Sequence, residues 1–302
     1  DHRDLHSFPT RRSSDLMEQN SIRGLCDLHT HTNFSPDAKS APEEMCERAI
    51  ELGLAKYAIT DHCDVNFWER AEGDGVRDFD MYGSGKYAPA SITAQTALKE
   101  KYAGRLDLLC GIELGQPLQN IEKAEQIMAD KRLDFIIGSH HQNAGQDDFY
   151  WIEYNKLDSY EISALLEDYF TQMYEMCRRG GFDVLGHLTY PLRYICGEYG
   201  IQIDLRRFDD IIAEIFRTLI GGGMGIEINT SGLRQKYGRA LPDLGFVKLY
   251  RELGGEIITL GSDAHCSADL GKGIAQGAEI ARQAGFRYTA YFKARRAEFI
   301  KL

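Results

Sequence analysis

Nine histidines occur in the chain, and seven of them, His29, His31, His62, His140, His141, His187 and His265, stand at the ends of short apolar runs. The motifs read Asp27-Leu28-His29-Thr30-His31, Thr60-Asp61-His62, Gly138-Ser139-His140-His141, Gly186-His187 and Gly261-Ser262-Asp263-Ala264-His265. One further run ends in Gly111-Ile112-Glu113. A lone histidine is usually a hydrogen-bonded structural residue, but seven at run ends point to a shared task. On extended backbone both side chains of an H-x-H pair face the same way, so His29 and His31 can grip one ion, as can Asp263 and His265. Imidazole and carboxylate donors without thiolate suit zinc, iron or manganese. Roughly nine donors are too many for one four-coordinate ion, so two or three divalent metal ions are expected.

The elements that must position these donors follow from the same runs. Candidate strands cover 25–28, 57–60, 107–111, 134–138, 183–186, 225–228 and 257–260. They are apolar on both faces and bounded by Gly or polar residues, as buried parallel strands are. Amphipathic helices are expected between them at 42–52, 90–102, 118–129, 159–179, 207–220, 242–253 and 274–284. Gly53, Gly104, Gly180, Gly221, Gly254 and Gly285 stand where left-handed caps should end helices. Seven β/α units in series predict an α/β fold, a distorted (β/α)7 TIM-like barrel, with a doubly wound open sheet as the alternative. In such a barrel all the motif-bearing strand ends converge on one face. The irregular stretches 63–89 and 142–158 should overhang that face.

The chain has 302 residues, 43% of them hydrophobic, enough for one barrel with a sizeable core. Its formal net charge of −11 argues against general nucleic-acid binding. No run is long and apolar enough for a transmembrane helix, and no signal peptide is apparent. Seven cysteines with no C-x-x-C pair read as reduced thiols of a cytoplasmic protein. Residues 1–16 lack periodicity, precede Met17 and look like translated adapter sequence, so the barrel domain is expected to span 17–302. The leader takes His2 and His6 with it. The KARR stretch ending at Arg296 reads as a helix surface.

Taken in order, H-x-H, Asp37 six residues after His31, TDH, GIE, GSHH, GH and SDAH resemble the polymerase and histidinol phosphatase (PHP) superfamily, and within it the metal-dependent histidinol-phosphatases. The resemblance covers nearly all of the chain from Gly24 onward. It implies a PHP-type barrel with a trinuclear metal site. It assigns His29, His31, Glu113 and Asp263 to a first ion, Glu113, His140 and His187 to a second, and Asp37, His62 and His265 to a third. His141 matches no ligand position in this pattern and is expected to face substrate or brace a ligand. Asp61 is expected to orient a ligating imidazole.

The resemblance implies hydrolysis of a small phosphate monoester, L-histidinol phosphate. Such esters are among the slowest to hydrolyse, needing up to ~10²¹-fold acceleration, whereas general acid–base catalysis supplies only ~10²–10⁴. Metal ions that lower the pKa of bound water from 15.7 to about 7 could fill that gap through in-line attack by a metal-bridging hydroxide. Asp263 or His265 would protonate the leaving alkoxide. Arg193 and Arg234, which follow strands five and six, are the expected phosphate grips. Asp147, Asp148, Phe149 and Tyr150 are candidate contacts for the ammonium and imidazole of the alcohol. A PHP-type nucleotide phosphatase or 3′–5′ exonuclease, and a silent metal-binding module, are the competing readings.

Overall fold

The computed structural model describes residues 21–66, 85 and 87–302. The expected leader and most of the 63–89 stretch lie outside the described residues. Eight strand segments line one sheet: β1 (Cys26–Asp27), β2 (Lys56–Ile59), β3 (His62–Asp64), β4 (Leu108–Gly115), β5 (Phe135–Ser139), β6 (Val184–Leu185), β7 (Gly225–Asn229) and β8 (Ile258–Gly261). All are parallel, in the order β1-β2-β4-β5-β6-β7-β8, with β3 prolonging the β2 arm against β4. That makes seven arms. The ends of the sheet meet, because Leu28 N–H donates to the Leu260 carbonyl, Asp263 N–H to His29, and His31 N–H to Ala264. The barrel is therefore nearly closed, as the repeated β/α pattern predicts, and the open-sheet alternative falls.

Helices α1 (Pro42–Leu52), α2 (Ala88–Lys101), α3 (Ile121–Met128), α4 (Ser159–Arg179), α5 (Asp209–Gly221), α6 (Ser231–Arg234), α7 (Leu244–Glu252) and α8 (Ile274–Gln283) follow the strands. Their ends obey local chemistry. Pro42 opens α1 ahead of Glu43 and Glu44, and Gly53 closes it at φ +69°. Asp158 and Glu161 form a capping box on α4, and Arg178 and Arg179 occupy its last turn. On the outward side the strands pack against helix residues such as Leu166, Tyr169, Phe216 and Val247. Inside the barrel, Leu109, Phe135, Ile137 and Val184 form a separate apolar plug. Polar groups then take over toward the C-terminal ends of the strands. No helix among the described residues is long and apolar enough to cross a membrane.

The C-terminal segment departs from the sequence reading. Residues 288–301 form an antiparallel hairpin, β9 (Tyr288–Lys293) and β10 (Arg296–Lys301), rather than a helix surface at KARR. Ala294 and Arg295 take φ of 47° and 65° at its two-residue turn, the twist a tight hairpin needs. Ala290, Tyr291 and Phe292 enter the inner apolar plug, and Arg295 Nε donates to Asp183 Oδ2 at 2.6 Å. The hairpin thus seals the N-terminal end of the barrel, opposite the histidines. Alternating Tyr, Ala and Phe at 288–292 is the strand signal behind it.

Candidate metal centre

Glu113 lies at the middle of the C-terminal face, fully buried on β4. Its Oε1 sits 2.7 Å from His187 Nε2, 3.1 Å from His141 Nε2 and 2.7 Å from Ser139 Oγ. Its Oε2 sits 2.9 Å from His62 Nδ1, 3.4 Å from His29 Nε2 and 3.5 Å from His31 Nε2. Asp263 Oδ1 approaches His31 Nε2 at 3.4 Å and His29 Nε2 at 3.8 Å. Asp37 Oδ2 lies 3.1 Å from His265 Nε2 and 3.6 Å from His62 Nε2. The expected first group, His29, His31, Glu113 and Asp263, is therefore assembled, as is Asp37 with His62 and His265.

The second group forms with a different histidine. The sequence pattern assigns His140, but the structure turns His140 away and brings His141 to Glu113. On an extended strand, side chains alternate between faces. Phe135, Ile137, Ser139 and His141 share the inner phase. His140 shares the outer phase, where its Nε2 meets Asn143 Oδ1 at 3.0 Å and its ring lies 5.4 Å from that of Tyr169 on α4. Burial pushes the His140 imidazole down to about 4, against the bond to Asn143.

The hydrogen-bond network assigns the ring protons. His29 Nδ1 faces Glu227 Oε1 at 2.7 Å and His141 Nδ1 faces Asp64 Oδ1 at 3.0 Å. A carboxylate only accepts, so both Nδ1 atoms carry hydrogen. Ser35 Oγ donates to Asp61 Oδ1 at 2.9 Å, which leaves it to accept from His31 Nδ1 at 3.1 Å. Asp61 also accepts from Thr32 and Ser91, so it braces the His31 loop as expected. Nε2 of His29, His31 and His141 is thereby the nitrogen that points inward, available to an ion once it carries no hydrogen.

These inward nitrogens crowd one another at distances a shared ion would set. His29 Nε2 and His31 Nε2 are 3.1 Å apart, and His141 Nε2 and His187 Nε2 are 3.3 Å apart. Glu113 Oε2 is sealed from solvent among the imidazoles of His62, His29 and His31. Tetrahedral ligands about 2.05 Å from a zinc ion are separated by about 3.3 Å. The observed donor spacings fit that edge, so the residues present suit a group of divalent ions.

Charge tells the same story. Burial alone would push the His29, His62 and His141 imidazoles down. Carboxylates outweigh it: Glu227 and Glu113 at His29, Asp37 and Glu113 at His62, and Glu113 and Asp64 at His141, which rises to about 10. Burial would likewise raise Glu113, but His29, His141 and His62 hold it well below the usual carboxylate range. His31, buried beside His265 and His62, falls to about 3. A ring of carboxylates this dense demands positive charge, and in the bare site protonated imidazoles supply it.

A cleft of about 460 Å³ opens beside this ring, lined by Arg193, Arg234, Gln235, Asp263, His265 and Lys272 among others. Arg193 lies flat over Tyr190, its Nη2 reaching Ser231 Oγ at 2.9 Å and Asp263 Oδ2 at 3.2 Å. Arg234 spends two donors on the carbonyls of Ser262 and Asp263, at 2.5 and 2.8 Å. Those bonds steady Asp263 in its unusual φ of +53°. Of the candidate alcohol contacts, Phe149 is buried against Tyr169 and Tyr190 and cannot line the cleft. Tyr150 is exposed beside Trp151 and Tyr194. Burial pushes the Asp148 carboxyl up to about 6, with the nearby His141 charge opposing it.

Sequence reasoning missed Glu227 and Asp64. Both were signalled by spacing: Asp64 is two residues beyond His62, and Glu227 two before Asn229, each in phase with an inward-facing neighbour.

A family model for the PHP domain matches residues 27–231. The chain belongs to the PHP domain family. It is 28% identical over 266 residues to a probable histidinol-phosphatase of Thermotoga maritima, covering 88% of this chain and 95% of that protein. It is 30% identical over 250 residues to a probable histidinol-phosphatase of Clostridium acetobutylicum, covering 81% and 88%. In fold it is similar to the histidinol phosphate phosphatase of Lactococcus lactis, solved with zinc, L-histidinol and phosphate, at a TM-score of 0.70 and 23% identity, covering 91% of this chain and 98% of that one.

Proposed function

We propose that this chain is a metal-dependent phosphomonoesterase that hydrolyses L-histidinol phosphate to L-histidinol and phosphate. The observation that carries the reading is a buried donor ring around Glu113 opening directly onto a cleft with two arginines. The names of its relatives, and the ligands of the Lactococcus lactis protein, support the choice of alcohol.

His29, His31, Glu113 and Asp263 would hold one ion, Glu113, His141 and His187 a second, and Asp37, His62 and His265 a third. When bound, such ions act as Lewis acids and lower the pKa of water from 15.7 to about 7. The protein supplies the rest. Arg193, already oriented by Tyr190 and Asp263, fits two phosphate oxygens with its guanidinium fork. Arg234 holds the Asp263 turn and turns its remaining face to the cleft. His265 stands at the mouth of the cleft beside Asp37. Ser139 Oγ, donating to Glu113 Oε1, fixes which lone pairs of that carboxylate face the ring. No serine or cysteine stands as a nucleophile inside the donor ring among the described residues other than Ser139, whose hydrogen is committed to Glu113. We therefore assign direct displacement on phosphorus with no phosphoenzyme. All seven cysteines are free thiols, which suits a reducing cytoplasm.

Phosphate release from histidinol phosphate, a nucleoside monophosphate and a single-stranded oligonucleotide, with metal analysis, tests the assignment. Preferential release from histidinol phosphate is expected. Preference for either nucleotide substrate would move the reading to a nucleotide phosphatase or exonuclease. A chiral-phosphate experiment should give net inversion at phosphorus; retention would refute direct displacement.

A further inference from the structure

Glu227 is a buried carboxylate that stands outside every metal group assigned above. Glu227 projects from β7 toward the floor of the centre and is 1% exposed. Its Oε1 accepts from His29 Nδ1 at 2.7 Å. Its Oε2 accepts from the His187 backbone N–H at 3.0 Å and lies 3.3 Å from Asn229 Nδ2. The two oxygens therefore hold ligands assigned to different ions.

The His187 end needs this support. His187 Nδ1 is buried with no hydrogen-bond partner among the described residues. Unlike His29 and His141, its ring is not held from behind by a carboxylate. Its placement then rests on its backbone, and Glu227 Oε2 is the acceptor that fixes that backbone.

β8 makes room for the arrangement. A Cβ on Gly261 would lie 2.1 Å from Glu227 Oε1 and 2.4 Å from His29 Cβ, closer than real atoms approach. The absence of a side chain at 261 is what lets the carboxylate reach the imidazole.

We infer that Glu227 is a positioning residue that couples two metal sites, setting the His29 ring of one and the His187 backbone of the other with a single side chain. The inference rests on the metal reading proposed above. Asp64 provides the contrast: it hydrogen-bonds the His141 imidazole at 3.0 Å and lies farther, at 3.7 Å, from His62 Nδ1.

A glutamine at 227 keeps the volume but has one acceptor oxygen, so either His29 Nδ1–H or the His187 N–H must face an NH₂ group. Loss of an orienting partner typically costs about 10–100-fold in metal affinity. The test is titration of chelator-stripped protein with Co²⁺, followed by visible absorbance and by bound-metal analysis. For E227Q, two stepwise constants should weaken by about 10–100-fold each, whereas D64N should weaken one. G261A, whose Cβ would press on both Glu227 Oε1 and His29 Cβ, should weaken the same two steps by displacing the carboxylate and the imidazole it holds. If E227Q weakens one step or none, the coupling is overturned. E227Q alone decides the matter should G261A fail to fold. Wild-type protein that binds fewer than two ions overturns the metal reading itself, and this is seen before any variant is compared.

Discussion

Replacing His141 and His140 one at a time separates the ligand set proposed from the strand geometry from the one that motif order suggests. His141 Nε2 sits 3.1 Å from Glu113 Oε1 and 3.3 Å from His187 Nε2, with Asp64 holding its other nitrogen. His141→Ala leaves the second ion with Glu113 and His187 alone. Removing only an orienting partner costs about 10–100-fold in affinity, so removing the donor should cost more than ~100-fold. His140→Ala removes a neutral, buried ring and its bond to Asn143. That bond is worth about 1 kcal/mol, and with the cavity the loss comes to roughly 2–4 kcal/mol. For a domain of this size the melting temperature should fall by about 5–10 °C. The assay is metal content after gel filtration, beside melting of the chelated protein. H141A should lose one ion per chain, and its chelated form should melt lower too, because Glu113 and Asp64 lose their buried counter-charge. H140A should keep every ion and melt lower. The opposite pattern, with an ion lost in H140A and none in H141A, would refute the strand-phase argument.

Three further outcomes follow from the same geometry. Metal loading at pH 7 should release up to about three protons, because His29, His62 and His141 are held above neutrality in the bare site and a ligand must be deprotonated. Apparent affinity should thus rise with pH, and calorimetry in buffers of differing ionisation enthalpy that finds no proton release would contradict the charge reading. The signs for the bare protein are opposed: the raised His141 stabilises it below about 6.5 and loses that contribution as pH climbs through about 10, while the depressed Glu113 loses its contribution as pH falls below the usual carboxylate range. Arg193→Ala should lower kcat/KM by about 10²–10³-fold with metal content intact, whereas Arg234→Ala should also weaken metal binding, since it releases the Ser262 and Asp263 carbonyls. Equal metal content in both variants would remove the clamping role from Arg234. Arg295→Ala breaks the half-exposed bond to Asp183 that seats the hairpin; it should cost about 1 kcal/mol, or a melting shift of about 2–4 °C, with kcat/KM unchanged. A fall in kcat/KM would show that the sealed end communicates with the site.

The barrel was legible because its signals are local and repeated. Apolar runs ending in Gly or a polar residue gave all seven arms, and helix caps such as Pro42 and Gly53 gave helix ends to within a residue or two. The hairpin at 288–301 was not legible from the basic residues of its turn, since a charge cluster carries no period; only the alternation at Tyr288–Phe292 does. Helix α5 likewise stops beyond Gly221, with the left-handed residue at Gly223, because three consecutive glycines offer equivalent caps.

The site was legible as a set of residue types and less so as a set of directions. Motif order told which strand end bears a donor, but adjacent histidines at 140 and 141 differ only in phase, and phase is fixed by which neighbours enter the barrel. Phe135 and Ile137 do, stacked on the hairpin's Phe292 and within the inner plug, and this carries Ser139 and His141 inward with them. The remote C-terminal hairpin and the histidine proposed as a metal ligand are thus joined through one strand. Orienting carboxylates escape for a related reason: Glu227 lies 198 residues from His29 in sequence, and only barrel closure between β8 and β1 brings its strand within reach. The donors belong to the motifs, whereas their aim belongs to the closed barrel, and a single glycine at 261 is where the two requirements meet.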